Sequence, residues 1–548
     1  MSRPDHQEPV VFDLVEGDGS GDAGGPGDGT DAAEGPGSGS TSDDGAGGDP
    51  DRSADTAEAG RPAARWLPRL PRRAWLLTVA AVAVVAVALT AVDLVRDDRR
   101  AELMRTSAVG VASLADPPEE TWTLPFDASF GGSAFVDQPV AVMDGALVLL
   151  PASLQDVLIQ DVSTGAMEPA PAGFADVTAV DPATGDVLWR VPVDEDLVCG
   201  PAGYDASART DLLTCLQGPD DAREVLTITP GGGTRVRPAD QADGERLFVG
   251  TEGLVVRVRS VGEPAGAPEC DDPGRCETPG RHEVRVVTED AVTGAERWTE
   301  DVDLTPAESF ACTDQGGPGE DPVPYVDVRS GTESITVQGC GPSVTLSVDG
   351  VRLDLAGGGN PGGQAWVTEL GAGRFAVEAP AGKSVVVDAS GEVLGTLDGL
   401  VQTVRTSPDA PADLWFAGRP SGTGFDAVRE DGSVAWTERY GTGVLLAARD
   451  VVVMERGSRL IGLDRRTGAQ LWEWTDDDAR GMGRFRTVTD GETVATLNLP
   501  QEGTGEGALV ALDLATGEER WSVSVTGTVV AVGGHLVEVT ADGLRGLG

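Results

Sequence analysis

Apolar residues along this chain come in short runs, and each run breaks at a polar, glycine-containing turn. Val177-Thr-Ala-Val-Asp181 and Ala508-Leu-Val-Ala-Leu-Asp513 are clear cases. Nearly continuous apolar runs suit strands covered on both faces by neighbouring sheets. The turn after each run is chemically specific. Asp can accept from backbone amides two residues on, Pro182 presets φ, and the glycine supplies the left-handed conformation of a short hairpin loop. A Trp then falls on the return strand, where a large flat ring can fill the gap between one sheet and the next.

The phrase recurs with fixed spacing. Its four full copies are Asp181, Thr184, Gly185 and Trp189; Asp290, Thr293, Gly294 and Trp298; Asp464, Thr467, Gly468 and Trp472; and Asp513, Thr516, Gly517 and Trp521. Degenerate copies follow at Asp349-Gly350, Asp388-Ala-Ser-Gly391 and Asp431-Gly432 with Trp436. Turn glycines 350, 391, 432, 468 and 517 lie 41, 41, 36 and 49 residues apart, the length of one four-stranded propeller blade.

Asp-x-x-Thr-Gly-x-x-x-Trp, preceded by Ala-x at Asp181 and Asp513, resembles the repeat of pyrroloquinoline-quinone-type β-propellers, and the resemblance spans roughly residues 120–548. Quinoprotein alcohol dehydrogenases and the propeller lipoprotein of bacterial outer-membrane assembly share that fold. The resemblance implies an all-β propeller and leaves function open, because the motif residues hold blades together and form no cofactor site. The last segments, Thr528-Val-Val-Ala-Val532, His535–Thr540 and Gly543–Leu547, supply three strands without a Trp-bearing fourth. Glu120-Thr-Trp122-Thr-Leu-Pro125 matches the missing one, so the two chain ends are expected to pair and close the ring. Up to nine units can be counted; eight blades are expected, because the units between residues 195 and 360 are degenerate and interrupted.

Composition divides the rest. Residues 1–60 carry fifteen acidic and two Arg side chains, a charge of −13 with little apolar content, and read as a disordered tail. Pro9–Val15 is an apolar island within it, either a chance cluster or a docking peptide. Residues 61–73 are a basic juxtamembrane stretch. Residues 74–92 are free of charge, long enough to cross a bilayer, and begin too far into the chain for a signal peptide, so 74–95 is expected to be an uncleaved transmembrane helix. Residues 96–118 read as a linker and 119–548 as the propeller. Five Arg precede the helix and four follow it, a narrow positive-inside margin, and together with the cysteines it gives the expectation of a cytoplasmic tail.

Six cysteines, Cys199, Cys215, Cys270, Cys276, Cys312 and Cys340, all follow the helix. Their even number on one side suggests disulfides in an oxidising compartment. Pairing of sequence neighbours is the simplest of the fifteen arrangements, and unpaired buried thiols and a zinc site are the alternatives. The chain carries −49; without the tail and the +5 of residues 61–110 the remainder carries −41, which disfavours nucleic acid and anionic lipid as partners. A single Lys, Lys383, beside forty Arg, with abundant Ala, Gly and Val, resembles the usage of high-GC actinobacteria.

Chemistry-bearing motifs are few. Ala381-Gly-Lys383-Ser384 lacks the first glycine of a phosphate loop, and Gly371–Ala376 opens no helix as a dinucleotide fingerprint requires. Asp476–Asp478 and Asp271-Asp272 suit solvated turns better than calcium. Quinoproteins of the resembling family carry adjacent cysteines over the cofactor, and none are adjacent here. The expectation is therefore a noncatalytic, membrane-anchored extracytoplasmic propeller with no cofactor and no metal, binding a protein or cell-wall ligand on a ring face. A quinoprotein dehydrogenase using pyrroloquinoline quinone and calcium is the alternative, and glycan binding through Trp366 or Trp415 a third possibility, although both residues read better as packing residues.

Overall fold

A computed structural model describes residues 99–548, apart from short stretches of which the longest are 128–139, 201–208, 262–268, 305–325, 355–365, 476–485 and 499–506. The expected tail, the island at 9–15 and the membrane helix at 74–95 lie outside the described residues. Among the described residues no helix is long and apolar enough to cross a membrane.

The fold is all-β, built from antiparallel sheets in chain order. Sheet 1 comprises Val140–Met143, Ala146–Leu149, Val177–Val180 and Val187–Val191; sheet 2 comprises Val198–Gly200, Leu213–Gln217, Glu224–Ile228 and Thr234–Pro238. Sheet 3 (Glu245–Val249, Leu254–Ser260, Glu283–Asp290, Glu296–Asp303) and sheet 4 (Asp327–Ser330, Ser334–Gln338, Ser343–Ser347) follow. Sheet 5 runs from Val367 to Leu397 and sheet 6 from Leu400 to Glu438. Sheet 7 gathers Gly443 to Thr475, with Arg405–Thr406 added in parallel at its edge, and sheet 8 spans Arg486 to Val525. Sheet 9 joins Thr528–Val532, His535–Val539 and Gly543–Leu547 to Glu120–Pro125.

Sheet 9 meets the expectation for the chain ends: Trp122 lies opposite Gly546 and Leu124 opposite Leu544, while Glu119 and Gly548 exchange two backbone hydrogen bonds at 2.9 Å. Apolar clusters join neighbouring sheets, except that sheets 4 and 5 meet among the described residues through Glu369, which accepts from the Thr332 and Glu333 amides at 2.9 Å. Val180 and Leu147 of sheet 1 pack with Val530 and Val537 of sheet 9, so the succession returns to its start. Nine sheets of three to five strands are present among the described residues, against the eight blades expected. The expectation of about eight rested on the units between 195 and 360 being degenerate and interrupted, and sheets 2, 3 and 4 form in that stretch. Apolar burial sustains them without the full phrase: Ile335, Val337 and Leu346 of sheet 4 are fully buried against Val284 and Val286 of sheet 3.

The expected linker also differs. Residues 99–105 form a helix, α1, and residues 107–115 lie along sheets 8 and 9, with Val111 accepted by Thr489 at 2.9 Å and Ala112 by Gly534 at 2.8 Å. Met104, Val109, Val111 and Leu114 are buried. These apolar residues have no periodicity in common, which is why the segment reads as a spacer until its neighbours are known.

Candidate functional site

The repeated phrase builds a joint between sheets. In all four copies the glycine amide donates to the Asp carbonyl at 2.8 Å, with glycine φ between +69° and +74°. Asp290, Asp464 and Asp513 each accept from the Thr amide and the Thr hydroxyl through Oδ1; Asp181 accepts from Ala183 instead, and Thr184 turns to Asp186. The Thr467 hydroxyl bond, with the turn amides, holds Asp464 below the usual carboxylate range. Burial pushes Asp513 up, but bonds from Arg520 and the Thr516 turn outweigh it, and its acidity also ends below that range.

Each Trp then reaches into the turn of the following sheet. Trp122 donates through Nε1 to the Pro182 carbonyl at 3.1 Å, Trp189 to Pro230 at 2.7 Å, and Trp298 to Val348, Trp436 to Arg465 and Trp472 to Leu514 at 2.8 Å. Trp521 donates to Leu114 at 2.9 Å, so the 107–115 segment stands in for the missing turn of sheet 9. Ring atoms cover the turn glycine: a Cβ on Gly185, Gly468 or Gly517 would lie 2.5–2.6 Å from Trp122, Trp436 or Trp472. Sheet 2 carries no Trp on its last strand. Arg237 substitutes, donating through Nε to Ala291 at 2.8 Å beside Gly294. It enters a buried ion cluster in which Glu289 receives Arg257 at 2.8 Å as well as Arg237, and Arg257 also meets Glu245 at 2.7 Å.

The phrase residues thus meet as structural pairs and form no shared cleft. Cys199 and Cys215 sit opposite each other in sheet 2 and form a disulfide with Cα atoms 4.0 Å apart. Cys270 and Cys276 are register partners in a small two-stranded pair; Cys312 and Cys340 lie outside the described residues, as do Asp476–Asp478. Trp415 is buried as expected. Trp366 is not: it is 63% exposed just before the first strand of sheet 5. Gly371–Ala376 is a hairpin turn, and Lys383 of the would-be phosphate loop pairs with Asp398 at 2.8 Å.

A cavity of about 600 Å³ opens where α1 crosses sheets 9, 1 and 2. Glu102 and Arg105 of α1, paired at 3.0 Å, form one wall; Asp144 and Asp181 come from the turns of sheet 1. Arg209 and Asp211 enter from the connection between the first and second strands of sheet 2, and His535 from sheet 9. The Arg209 backbone is fixed by a parallel bridge to Val142, with Thr210 donating to Val142 at 3.1 Å. Its Nε and Nη2 atoms are buried and make no hydrogen bond. Burial lowers the His535 pKa against the attraction of Asp181, and Arg105 reinforces the effect, so the neutral imidazole is favoured. The sequence offers no signal for Arg209, which stands within the degenerate stretch after residue 195. Among the described residues no group of three or more His, Cys, Asp or Glu is placed to hold a metal ion, and none of the cavity residues is a cysteine, so the adjacent-cysteine arrangement of quinoproteins is not met at this site.

Comparison with known proteins adds a family match and leaves the site unassigned. No curated protein matches the chain. Similar solved structures include BamB from Moraxella catarrhalis (16% identity, 61% of this chain and 92% of that one, TM-score 0.31) and the computationally designed Ika8 protein (12% identity, 68% and 96%, TM-score 0.32). Dihydro-heme d1 dehydrogenase NirN is a third (12% identity, 75% and 78%, TM-score 0.32). Residues 282–545 match the family model described as outer membrane protein assembly factor BamB, and that match supports a pyrroloquinoline-quinone-type β-propeller repeat in this chain.

Proposed function

We propose that this chain is a noncatalytic propeller, held at the plasma membrane by residues 74–95, that binds a protein or cell-wall ligand on one ring face outside the membrane while the acidic tail stays in the cytoplasm. The match to an assembly-factor repeat supports an interaction or assembly module. The observation that carries the reading is the cavity under α1, where an unpartnered Arg209 guanidinium stands among carboxylates drawn from separate elements. Such convergence of opposite charges in a cavity supports a ligand-binding site.

Crosslinking in intact membranes, with a photoreactive residue at Leu103 or Asp144, tests it. Both positions are exposed beside the cavity. A defined partner crosslinked from these positions and not from the remote Val393 is the expected result. Tight binding of pyrroloquinoline quinone with calcium, followed by alcohol oxidation, would replace the reading with a quinoprotein. External protease that removes the tail but spares the propeller would reverse the topology.

A further inference from the structure

We propose that Arg209 anchors a binding site for a zwitterionic ligand, a free amino acid or peptide carrying both an ammonium and a carboxylate group, in the cavity between α1 and sheets 9, 1 and 2. This deepens the recognition reading above and rests on it. The first argument is the guanidinium itself. Nε and Nη2 form the edge that matches a carboxylate in a two-pronged contact, and both are buried without an acceptor. Arg209 is half-buried as a whole, but removing two of its donors from water without an acceptor is unfavourable, and native proteins rarely leave such groups unsatisfied without a use. The adjoining backbone is not free to relax the strain, since Thr210 is tied to Val142 at 3.1 Å and its hydroxyl to Leu212 at 2.7 Å. Rotation of the side chain into the cavity it already lines presents this edge to a carboxylate.

The second argument is what surrounds it. Arg105, the other cation of the cavity, already pairs with Glu102 at 3.0 Å, while Asp144, Asp181 and Asp211 line the same space. One unengaged cation therefore faces a surplus of carboxylates, a polarity that a ligand with one charge of each sign complements. A chain of net charge −49 repels a net anion such as phosphate or a dicarboxylate at long range, whereas a zwitterion escapes that penalty. Neutral His535 adds a donor and an acceptor without adding positive charge. The volume of about 600 Å³ lies within the range of small-molecule sites.

Titration calorimetry on the full chain tests this with L-alanyl-L-alanine, its C-terminal amide and its N-acetyl derivative. The free dipeptide is expected to bind, each blocked form to bind roughly tenfold or more weakly, and Arg209→Gln to abolish binding while its cooperative melt is kept. Arg209→Lys, which keeps the charge and loses the fork, is expected to bind weakly. Absence of binding by the free dipeptide, equal binding of either blocked form, or undiminished binding by folded Arg209→Gln overturns the proposal. Should Arg209→Gln fail to fold, the three dipeptides on the unmodified chain decide alone. Partner capture at Leu103 or Asp144 proceeds without a dipeptide, so loss of the zwitterion site and loss of the recognition reading are separately visible.

Discussion

Gly517→Ala isolates the joint between sheets, because a matched glycine supplies its control. Gly517 has φ +71° and Gly432 has φ +78°, so alanine at either position meets the left-handed penalty of about 1–2 kcal/mol. Stiffening of the unfolded chain returns roughly 0.4–1 kcal/mol in both. The two differ in surroundings. A Cβ at Gly432 has nothing within 4 Å, whereas at Gly517 it would lie 2.6 Å from Cδ2 and Cγ of Trp472. Trp472 is 6% exposed and donates to Leu514 at 2.8 Å. Displacing it adds overpacking of about 1–3 kcal/mol and a weakened hydrogen bond of about 1 kcal/mol. Gly432→Ala is therefore expected to lose about 1 kcal/mol or less, and Gly517→Ala about 2–4 kcal/mol more. Urea midpoints at matched m-values measure the difference, and a cycle with Trp472→Ala attributes it: the excess should vanish when the ring is gone. Equal loss for the two alanines, or an excess that survives removal of the ring, refutes the docking account.

Other outcomes follow from the same contacts. Glu289→Gln, which leaves Arg237 and Arg257 buried beside a neutral group, is expected to destabilise by about 3–5 kcal/mol, read from the urea midpoint. The paired Cys199→Ala and Cys215→Ala variant should lose about 3 kcal/mol, and non-reducing peptide mapping of the parent should recover that bond. His535 titrates below its ordinary 6.5 when folded, so the unfolded chain binds the extra proton and stability falls as pH drops through and below that value; His535→Gln should flatten this slope. Asp464 follows the same rule at lower pH. Its depressed pKa gives stability that is present above the ordinary carboxylate range and lost as pH falls through the folded value, and Asp464→Asn should blunt acid unfolding.

The fold was readable where local chemistry repeats. The Asp, Thr, Gly and Trp spacing marks hairpin turns because each residue acts within a few positions of itself, and the pairing of Glu120–Pro125 with Gly543–Leu547 followed from a missing Trp strand. Arg237 shows where such reading stops. It occupies the Trp acceptor through a contact to Ala291, 54 residues on, which no local pattern announces. The docking of 107–115 was hidden for the same reason, since Leu114 owes its place to Trp521. Arg209 was hidden more deeply, because its meaning lies in what it fails to touch, and only the assembled cavity walls reveal that.

Joining the first and last strands in sheet 9 also sets an order of events during synthesis. Until residues 543–547 exist, Glu120–Pro125 has no partner strand, and Trp521 has its acceptor at Leu114 but no finished neighbour to bury it against. A growing chain must therefore carry an unpaired edge through most of its production, the condition under which strands add to foreign edges. Contacts spanning more than four hundred residues form last and slowly. Synthesis halted before residue 543 thus leaves an open, adhesive edge rather than a slightly smaller ring, and the meeting of Glu119 with Gly548 marks the closing of sheet 9.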